Sequence, residues 1–116
     1  MKKCKLLITD LDGTLIETVS GNTFPKGIWD MKIKLDVFEA IKNYAPDDIL
    51  IISNQGGIEK GFVDKEMFEY KFDYISSALE DYTNISVYNF YCDNNDKDNI
   101  NRKPNTGMID QYMDYI

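Results

Sequence analysis

The sequence contains no histidine, two cysteines, one tryptophan and a single arginine. Without histidine, any catalytic scheme must work without an imidazole, and a zinc site built from histidine and cysteine is excluded. Because Cys4 and Cys92 form no CxxC pair, the sequence predicts a cytoplasmic protein without a disulfide framework. No apolar run approaches the roughly 20 residues that a membrane span needs, so no membrane partner is expected.

Negative charge exceeds positive charge, with 20 aspartates and glutamates, 13 lysines and arginines and a formal net charge of −7. This balance does not suggest general binding to phosphate backbones, so a nucleic-acid partner would have to be met by a local basic surface. The 116 residues suffice for one modest core, and a hydrophobic content of 43% is typical of a folded protein. We therefore expect residues 1–116 to form a single domain.

Three short apolar segments are typical of buried strands. They cover residues 5–9, 49–52 and 87–91, and each is followed by polar or turn-forming residues. Segments with helical periodicity separate them. This alternation predicts an α/β fold in which helices cover both faces of a parallel sheet.

The spacing of apolar residues predicts three helices. The first spans residues 35–45 and ends before Pro46, the second begins at an Asp64 cap, and the last covers residues 107–116. The predicted inner faces of the first two helices are Leu35, Phe38, Ile41 and Ala45, and Met67, Phe68, Phe72, Ile75 and Leu79.

Polar clusters follow two of the predicted strands and precede the last helix. Asp10 and Asp12 come after the first strand, residues 53–57 (SNQGG) come after the second, and Arg102 and Lys103 lie before the helix at 107–116. In a parallel sheet of this kind, the ligand crevice lies beyond the carboxyl ends of the strands. The three clusters are therefore expected to meet at one edge.

The chemistry of these clusters fits phosphoryl transfer. Two carboxyl groups and a backbone carbonyl form a hard oxygen site that suits Mg²⁺ together with a substrate phosphate, and a carboxylate can also be a nucleophile. Ser53 and the backbone amides after it can hold phosphate oxygens, and Lys103 can neutralise the transferred group. The residues therefore predict a magnesium-dependent phosphatase.

Four segments carry a resemblance to a known family: DLDGTLIET (10–18), SGNTFPKGIWDMKI (20–33), SNQGGIEKG (53–61) and RKPNTGM (102–108). The first, third and fourth resemble the first three motifs of the haloacid dehalogenase (HAD) superfamily. The second resembles a stretch carried by the 3′-phosphatase domain of the polynucleotide kinase/phosphatase family, although it has Trp29-Asp30 in the opposite order. Within the superfamily, the sequence most resembles these 3′-phosphatase domains.

The resemblance implies roles for individual residues. Asp10 would be the nucleophile and Asp12 the general acid/base, and both would hold Mg²⁺. Ser53 and Lys103 would complete the catalytic set by binding and neutralising the phosphoryl group. The other substrate-binding residues that it implies are Thr14, which would support the loop, Asn54, Gln55, Gly56 and Arg102. The implied substrate is the 3′ end of a DNA or RNA strand.

A fourth superfamily motif, with further metal-binding aspartates, should follow another strand. No such segment occurs before Ile116, and Asp110 and Asp114 fall within the predicted last helix. We therefore expect a capless, Rossmann-like HAD core that is truncated before its last strands. Residues 1–116 alone should hold Mg²⁺ weakly, and a missing C-terminal segment or a partner chain would complete the domain. A kinase or ligase domain, or a partner chain in trans, is a further expected partner.

Two other function classes remain open. The chain could be a capless small-molecule phosphatase, similar to histidinol-phosphate or heptose-bisphosphate phosphatases, or an incomplete, non-catalytic HAD-like domain. The gaps between the motifs leave no room for a cap domain, which favours a large substrate. The basic residues expected to border the open crevice are Lys26, Lys32, Lys34, Lys60, Arg102 and Lys103.

Overall fold

The computed structural model describes residues 4–27 and 29–115. Its elements in chain order are β1 (Leu6–Thr9), β2 (Ile16–Glu17), β3 (Lys32–Ile33), α1 (Leu35–Tyr44), β4 (Asp48–Asn54), α2 (Gly56–Glu59), α3 (Lys65–Thr83), β5 (Ser86–Cys92) and α4 (Gly107–Tyr115). Strands β1, β4 and β5 form a parallel sheet in the order β1-β4-β5. The prediction of an α/β fold with a parallel sheet is confirmed.

The central strand β4 divides the core into two layers. Ile49 and Ile51 belong to one cluster with buried residues of α1 and α3, whereas Leu50 and Ile52 belong to a second cluster with α4. This division follows because successive side chains of a strand point to opposite faces of the sheet. Helices therefore cover both faces, which explains why β4 is apolar almost throughout.

The two predicted helices on the larger layer form with small corrections. Helix α3 begins where expected, because the Asp64 side chain accepts a hydrogen bond from Met67 N at 3.0 Å. Met67 itself is 46% exposed and Leu35 is 61% exposed, so their assignment to the inner faces was wrong. Both lie in the first turn of their helix. The buried stripe of α1 begins one turn after Leu35, at Phe38, and that of α3 begins at Phe68, the residue after Met67.

Helix α1 ends at Tyr44, before the predicted end. Ala45 is its C-cap, with a left-handed backbone at φ 54°. It is exposed, so its assignment to the inner face was also wrong. The chain then turns into β4, where Lys5 N donates to the Asp47 carboxylate at 2.6 Å. The last predicted helix is present as α4, and Ile116 lies outside the described residues.

A two-stranded antiparallel ribbon of β2 and β3 was not predicted. Ile16 pairs with Ile33 and Glu17 with Lys32, and Lys32 also forms a 3.0 Å ion pair with Glu17. The ribbon closes the loop at residues 18–31. Part of this loop packs against α2. The Phe24 ring lies so close to Gly57 that a Cβ atom on Gly57 would be 2.8 Å from Phe24 Cε1.

Within residues 4–27 and 29–115, no helix is long and apolar enough to cross a membrane.

Candidate active site

The carboxyl end of β1 and the segment before α4 meet at Asp10. Lys103 Nζ lies 2.9 Å from Asp10 Oδ1 and also donates to the carbonyl of Ile52 in β4, at 3.1 Å. The Asp10 side chain remains 47% exposed, whereas that of Lys103 is 26% exposed. The Lys103 ammonium is therefore anchored to the β4 backbone, while the Asp10 carboxylate faces solvent. Asp10 and Lys103 therefore lie side by side at the edge of the sheet, as we expected from the sequence.

Asn54, the last residue of β4, holds Lys103 through its backbone. Its Oδ1 accepts from Lys103 N at 2.9 Å, and its Nδ2 donates to Lys103 O at 3.1 Å. The Asn54 carboxamide thus pairs with the N–H and C=O of Lys103 as the backbone of a neighbouring strand would. The sequence resemblance implied that Asn54 contacts the phosphoryl group, whereas its side chain in this structure engages the residue that neutralises Asp10.

Gln55 links the other carboxylate to Ser53. Its Nε2 donates to Asp12 Oδ2 at 2.6 Å and to Ser53 Oγ at 2.8 Å. Ser53 is 1% exposed and Gln55 is 8% exposed, so both lie beneath the surface of the site. Because Ser53 Oγ accepts the amide proton, its own hydroxyl proton stays available to a phosphate oxygen.

A tight turn positions Asp12 after β1. Gly13 has φ 77°, which only glycine adopts without strain, and its N donates to Ile16 O at 2.8 Å. Thr14 N and Leu15 N both donate to Leu11 O. Thr14 is thus part of the turn that carries Asp12, and the loop-supporting role that the resemblance implied for it stays a prediction.

Within the described residues, Gly56 and Arg102 make no hydrogen bond to Asp10 or Asp12. Gly56 begins α2 and lies against Asn95, whose Nδ2 donates to Gly56 O at 3.0 Å. Arg102 makes backbone hydrogen bonds with Asn99 and Asn105. Across residues 4–27 and 29–115, its side chain forms no hydrogen bond or ion pair. Their substrate-binding roles stay predictions.

The two carboxylates suit magnesium as a partial site. Among the residues described, no three histidine, cysteine, aspartate or glutamate side chains are close enough to hold a metal ion. Asp10 Oδ2 and Asp12 Oδ1 have no hydrogen bond from this part of the chain, and both residues are exposed. This donor set fits Mg²⁺, which takes one or two carboxylates and fills its remaining positions with water and substrate phosphate.

Asp30 holds the loop at 18–31 and was given no role from the sequence. Its carboxylate is 1% exposed and accepts from Ser20 Oγ at 2.6 Å, Ser20 N at 2.8 Å and Lys26 N at 2.9 Å. The Ser20 hydroxyl first, and then Lys26 N, lower the pKa of Asp30 from its usual 3.8 to about 2. Asp30 lies near the end of the loop at 18–31, shortly before β3, and the sequence around it gives no sign that its side chain is buried.

This lowered pKa predicts an acid-sensitive loop. Because the folded protein holds the ionised form, Asp30 stabilises it at pH values above 3.8 and loses that effect as the pH falls towards 2. Thermal melts followed by circular dichroism should show a lower melting temperature for Asp30→Asn at pH 6 than for the wild type. The difference should shrink between pH 4 and pH 2. A constant difference across this range would contradict the assignment.

Known proteins resemble this chain over most of its length. The family model described as polynucleotide kinase 3 phosphatase matches residues 5–116. A "probable D-glycero-D-manno-heptose-1,7-bisphosphate 7-phosphatase" of Thermoplasma volcanium is 27% identical over 113 residues, which are 95% of this chain and 75% of the relative. An uncharacterised 20.8 kDa protein of Autographa californica nuclear polyhedrosis virus is 29% identical over 108 residues, 92% of this chain and 56% of that protein.

A solved structure shares the fold. It is a D,D-heptose 1,7-bisphosphate phosphatase from B. bronchiseptica in complex with magnesium and phosphate, with a TM-score of 0.73 and 24% identity. The match covers 96% of this chain and 63% of that protein, so the chain spans less than two thirds of its length. Because the family model matches nearly the whole sequence, the chain belongs to the polynucleotide kinase 3 phosphatase family of HAD-like phosphatases.

Proposed function

We propose that this chain is a magnesium-dependent phosphomonoesterase that removes the phosphate from the 3′ end of a nucleic-acid strand. The observation that carries the proposal is the Lys103 ammonium, which is 2.9 Å from the exposed Asp10 carboxylate at the carboxyl edge of the sheet. A nucleophilic carboxylate beside a fixed cation is the arrangement that phosphoryl transfer requires.

The reaction proceeds in two displacements. An Asp10 oxygen attacks phosphorus, the bond to the leaving oxygen breaks, and Asp12 donates its proton to that oxygen. Asp12 then takes a proton from water, which attacks the aspartyl-phosphate and releases inorganic phosphate with free Asp10. Magnesium, which the Asp10 carboxylate and the Asp12 backbone carbonyl would hold, would supply positive charge to the phosphoryl oxygens.

The remaining residues orient these groups. Gln55 holds the Asp12 side chain at 2.6 Å, which fixes the direction in which the acid presents its second oxygen. Asn54 holds the backbone of Lys103, and the Lys103 ammonium already lies beside Asp10. Substrate binding therefore needs little further ordering of this lysine. Ser53 donates its hydroxyl proton to a phosphate oxygen.

Two observations support a nucleic-acid end as the substrate. The family takes its description from a polynucleotide 3′-phosphatase. No separate cap domain covers the site in residues 4–27 and 29–115, so the carboxylates are accessible to the end of a long strand. The second candidate is a sugar-bisphosphate phosphatase, which the likeness to the Thermoplasma relative over 95% of the chain favours.

Salt dependence distinguishes these two substrates. A 3′-phosphorylated oligonucleotide should have a higher kcat/KM than a nucleoside 3′-monophosphate, because neighbouring phosphates contact the basic residues at the site. Each such contact adds about 0.7 to the slope of log kcat/KM against log salt concentration. The Arg102→Ala variant should lower this slope by about that amount.

Lys42→Ala provides the matched control. It removes one positive charge from the last turn of α1, at the end of the molecule where β4 begins, and should leave the slope unchanged. Equal kcat/KM values on the oligonucleotide and the mononucleotide, with no salt dependence, would contradict the nucleic-acid substrate and favour the sugar bisphosphate.

A further inference from the structure

A cavity of about 240 Å³ is formed by the loop at residues 25–27, the segment after α2 and the first two turns of α3. Its walls include the side chains of Pro25, Phe62, Met67 and Phe68, and two lysines, Lys26 and Lys71, also line it. Phe62 is backed by Phe24, with ring centroids 5.1 Å apart. The cavity thus combines apolar walls with positive charge.

Lys71 is the unusual member of this cavity. It lies on the buried face of α3, between Phe68 and Ile75, and is only 5% exposed. Lysine is almost never buried to this extent unless it is paired. Among the residues that the structure describes, its ammonium makes no hydrogen bond or ion pair. Nζ lies over the Phe68 ring, 5.7 Å from the ring centroid, in a cation–π contact.

The cavity adjoins the segment that follows β4 at the active site. Phe62 N and Val63 N, on the cavity wall, donate to Gly57 O at 2.8 and 3.1 Å, and Gly57 lies two residues after Gln55, which holds Asp12. Burial lowers the pKa of Lys71, while the charges of Asp12 and Asp30 act in the opposite direction. A substrate that presents one phosphate to Asp10 can therefore extend along this segment towards the cavity.

The acidic groups around the cavity do not satisfy Lys71. Asp30 already accepts three hydrogen bonds from its own loop, and Asp64 caps α3 by accepting from Met67 N. No fully buried side-chain nitrogen in the described residues lacks a hydrogen-bond partner, so the Lys71 ammonium, which makes no hydrogen bond, keeps some contact with solvent in the cavity. An anion bound there would give a charge partner to an ammonium that is largely removed from water. The cavity therefore presents an ammonium beside apolar and aromatic walls, which suits an anionic group attached to an apolar or aromatic body.

We propose that this cavity binds a second phosphate of the substrate, with Lys71 as its principal ligand and the aromatic walls against the sugar or base that carries it. The inference rests on the proposed phosphatase function and names a recognition site for it. The second phosphate is either the next internucleotide phosphate of a strand or the other phosphate of a sugar bisphosphate. Both present anionic oxygens to the ammonium.

The first test compares substrates with one and two phosphates. Lys71→Met keeps the length of the buried side chain and removes its charge. It should lower kcat/KM about 10- to 100-fold for a 3′-phosphorylated dinucleotide or for fructose 1,6-bisphosphate, as expected for the loss of a charged hydrogen bond. The kcat/KM for p-nitrophenyl phosphate, which has one phosphate, should not change.

Two variants serve as controls. Lys65→Met removes an exposed lysine of the same helix, with a side chain 57% exposed, and should behave as the wild type. Lys71→Arg keeps the charge and should retain most of the activity on substrates with two phosphates. A loss of equal size on p-nitrophenyl phosphate, or no loss on any substrate, would overturn the proposal.

A binding measurement separates this inference from the proposed function. Trp29, the only tryptophan, lies against Gly27 at the cavity, where a Cβ would be 2.8 Å from its Nε1. Titration with thymidine 3′,5′-bisphosphate should change its fluorescence, and Lys71→Met should weaken the dissociation constant at least 10-fold. Binding that depends on Lys71 without any hydrolysis would contradict the phosphatase function alone.

Hydrolysis by the wild type without binding that depends on Lys71 would overturn the second-phosphate site alone. The two substrates also identify the source of the phosphate. A larger effect of Lys71→Met on the dinucleotide assigns the cavity to the internucleotide phosphate, and a larger effect on fructose 1,6-bisphosphate assigns it to a sugar bisphosphate. Either result supports the site.

Discussion

Replacement of Asp10 by asparagine should lower kcat by about four orders of magnitude or more, the scale of loss seen when a nucleophile is removed. An amide cannot form the aspartyl-phosphate, so the two-step pathway is closed. The fold should be unaffected, because an asparagine oxygen can still accept from Leu11 N and from Lys103 Nζ, as Asp10 Oδ1 does. Steady-state hydrolysis of p-nitrophenyl phosphate with magnesium measures the effect.

Asp12→Asn is the matched control for this prediction. It changes a neighbouring carboxylate by the same single group but removes proton transfer, for which a loss of about 10²- to 10⁴-fold in kcat is expected. Inhibition by inorganic phosphate should change much less than kcat in this variant. A rate near that of the wild type for Asp10→Asn would exclude this residue as the nucleophile.

The second large effect is expected for Lys103→Met. This variant removes the cation 2.9 Å from the nucleophile and should lower kcat about 10²- to 10³-fold, a typical cost for one group that stabilises transition-state charge. Weaker inhibition by inorganic phosphate should accompany the loss, because in the proposed mechanism the same ammonium binds the product phosphate.

Lys97→Met tests whether the effect is local. Lys97 is an exposed lysine of the same connection between β5 and α4, and its substitution removes the same charge. Its kcat should equal that of the wild type. If Lys97→Met and Lys103→Met lowered kcat equally, the contribution of Lys103 would be one of overall charge, and its assigned place beside the nucleophile would be wrong.

The main elements of the fold could be predicted from the sequence because buried parallel strands have an unambiguous signal. The apolar run from Ile49 to Ile52 has no polar residue and lies between two turn-forming segments, so only a strand covered on both faces suits it. The Asp64 cap was equally clear, since an aspartate before an amphipathic run is a strong start signal. Both signals come from residues that are close together in sequence, so they do not depend on contacts with distant segments.

The features that were missed depend on contacts between distant segments. The ribbon of β2 and β3 has two residues in each strand, too few to show an alternating pattern. The side-chain partners of Asn54 and Gln55 depend on how Lys103 and Asp12 reach them across the sheet edge. Lys71 did leave a signal, because it lies three residues after Phe68 and four before Ile75, on the apolar stripe of α3.

The contact between Lys103 and Asp10 also bears on the order of folding. These residues are 93 positions apart, and Asn54, which holds Lys103, is 49 positions away from it. Contacts of such high separation carry the largest loop-closure cost and form after local structure. A chain that has paired β4 with β5 and docked α3 already has most of its core, yet Asp10 has no cation beside it. During synthesis Asp10 leaves the ribosome long before Lys103, so the pair on which the proposed activity depends forms only at the last stage of folding.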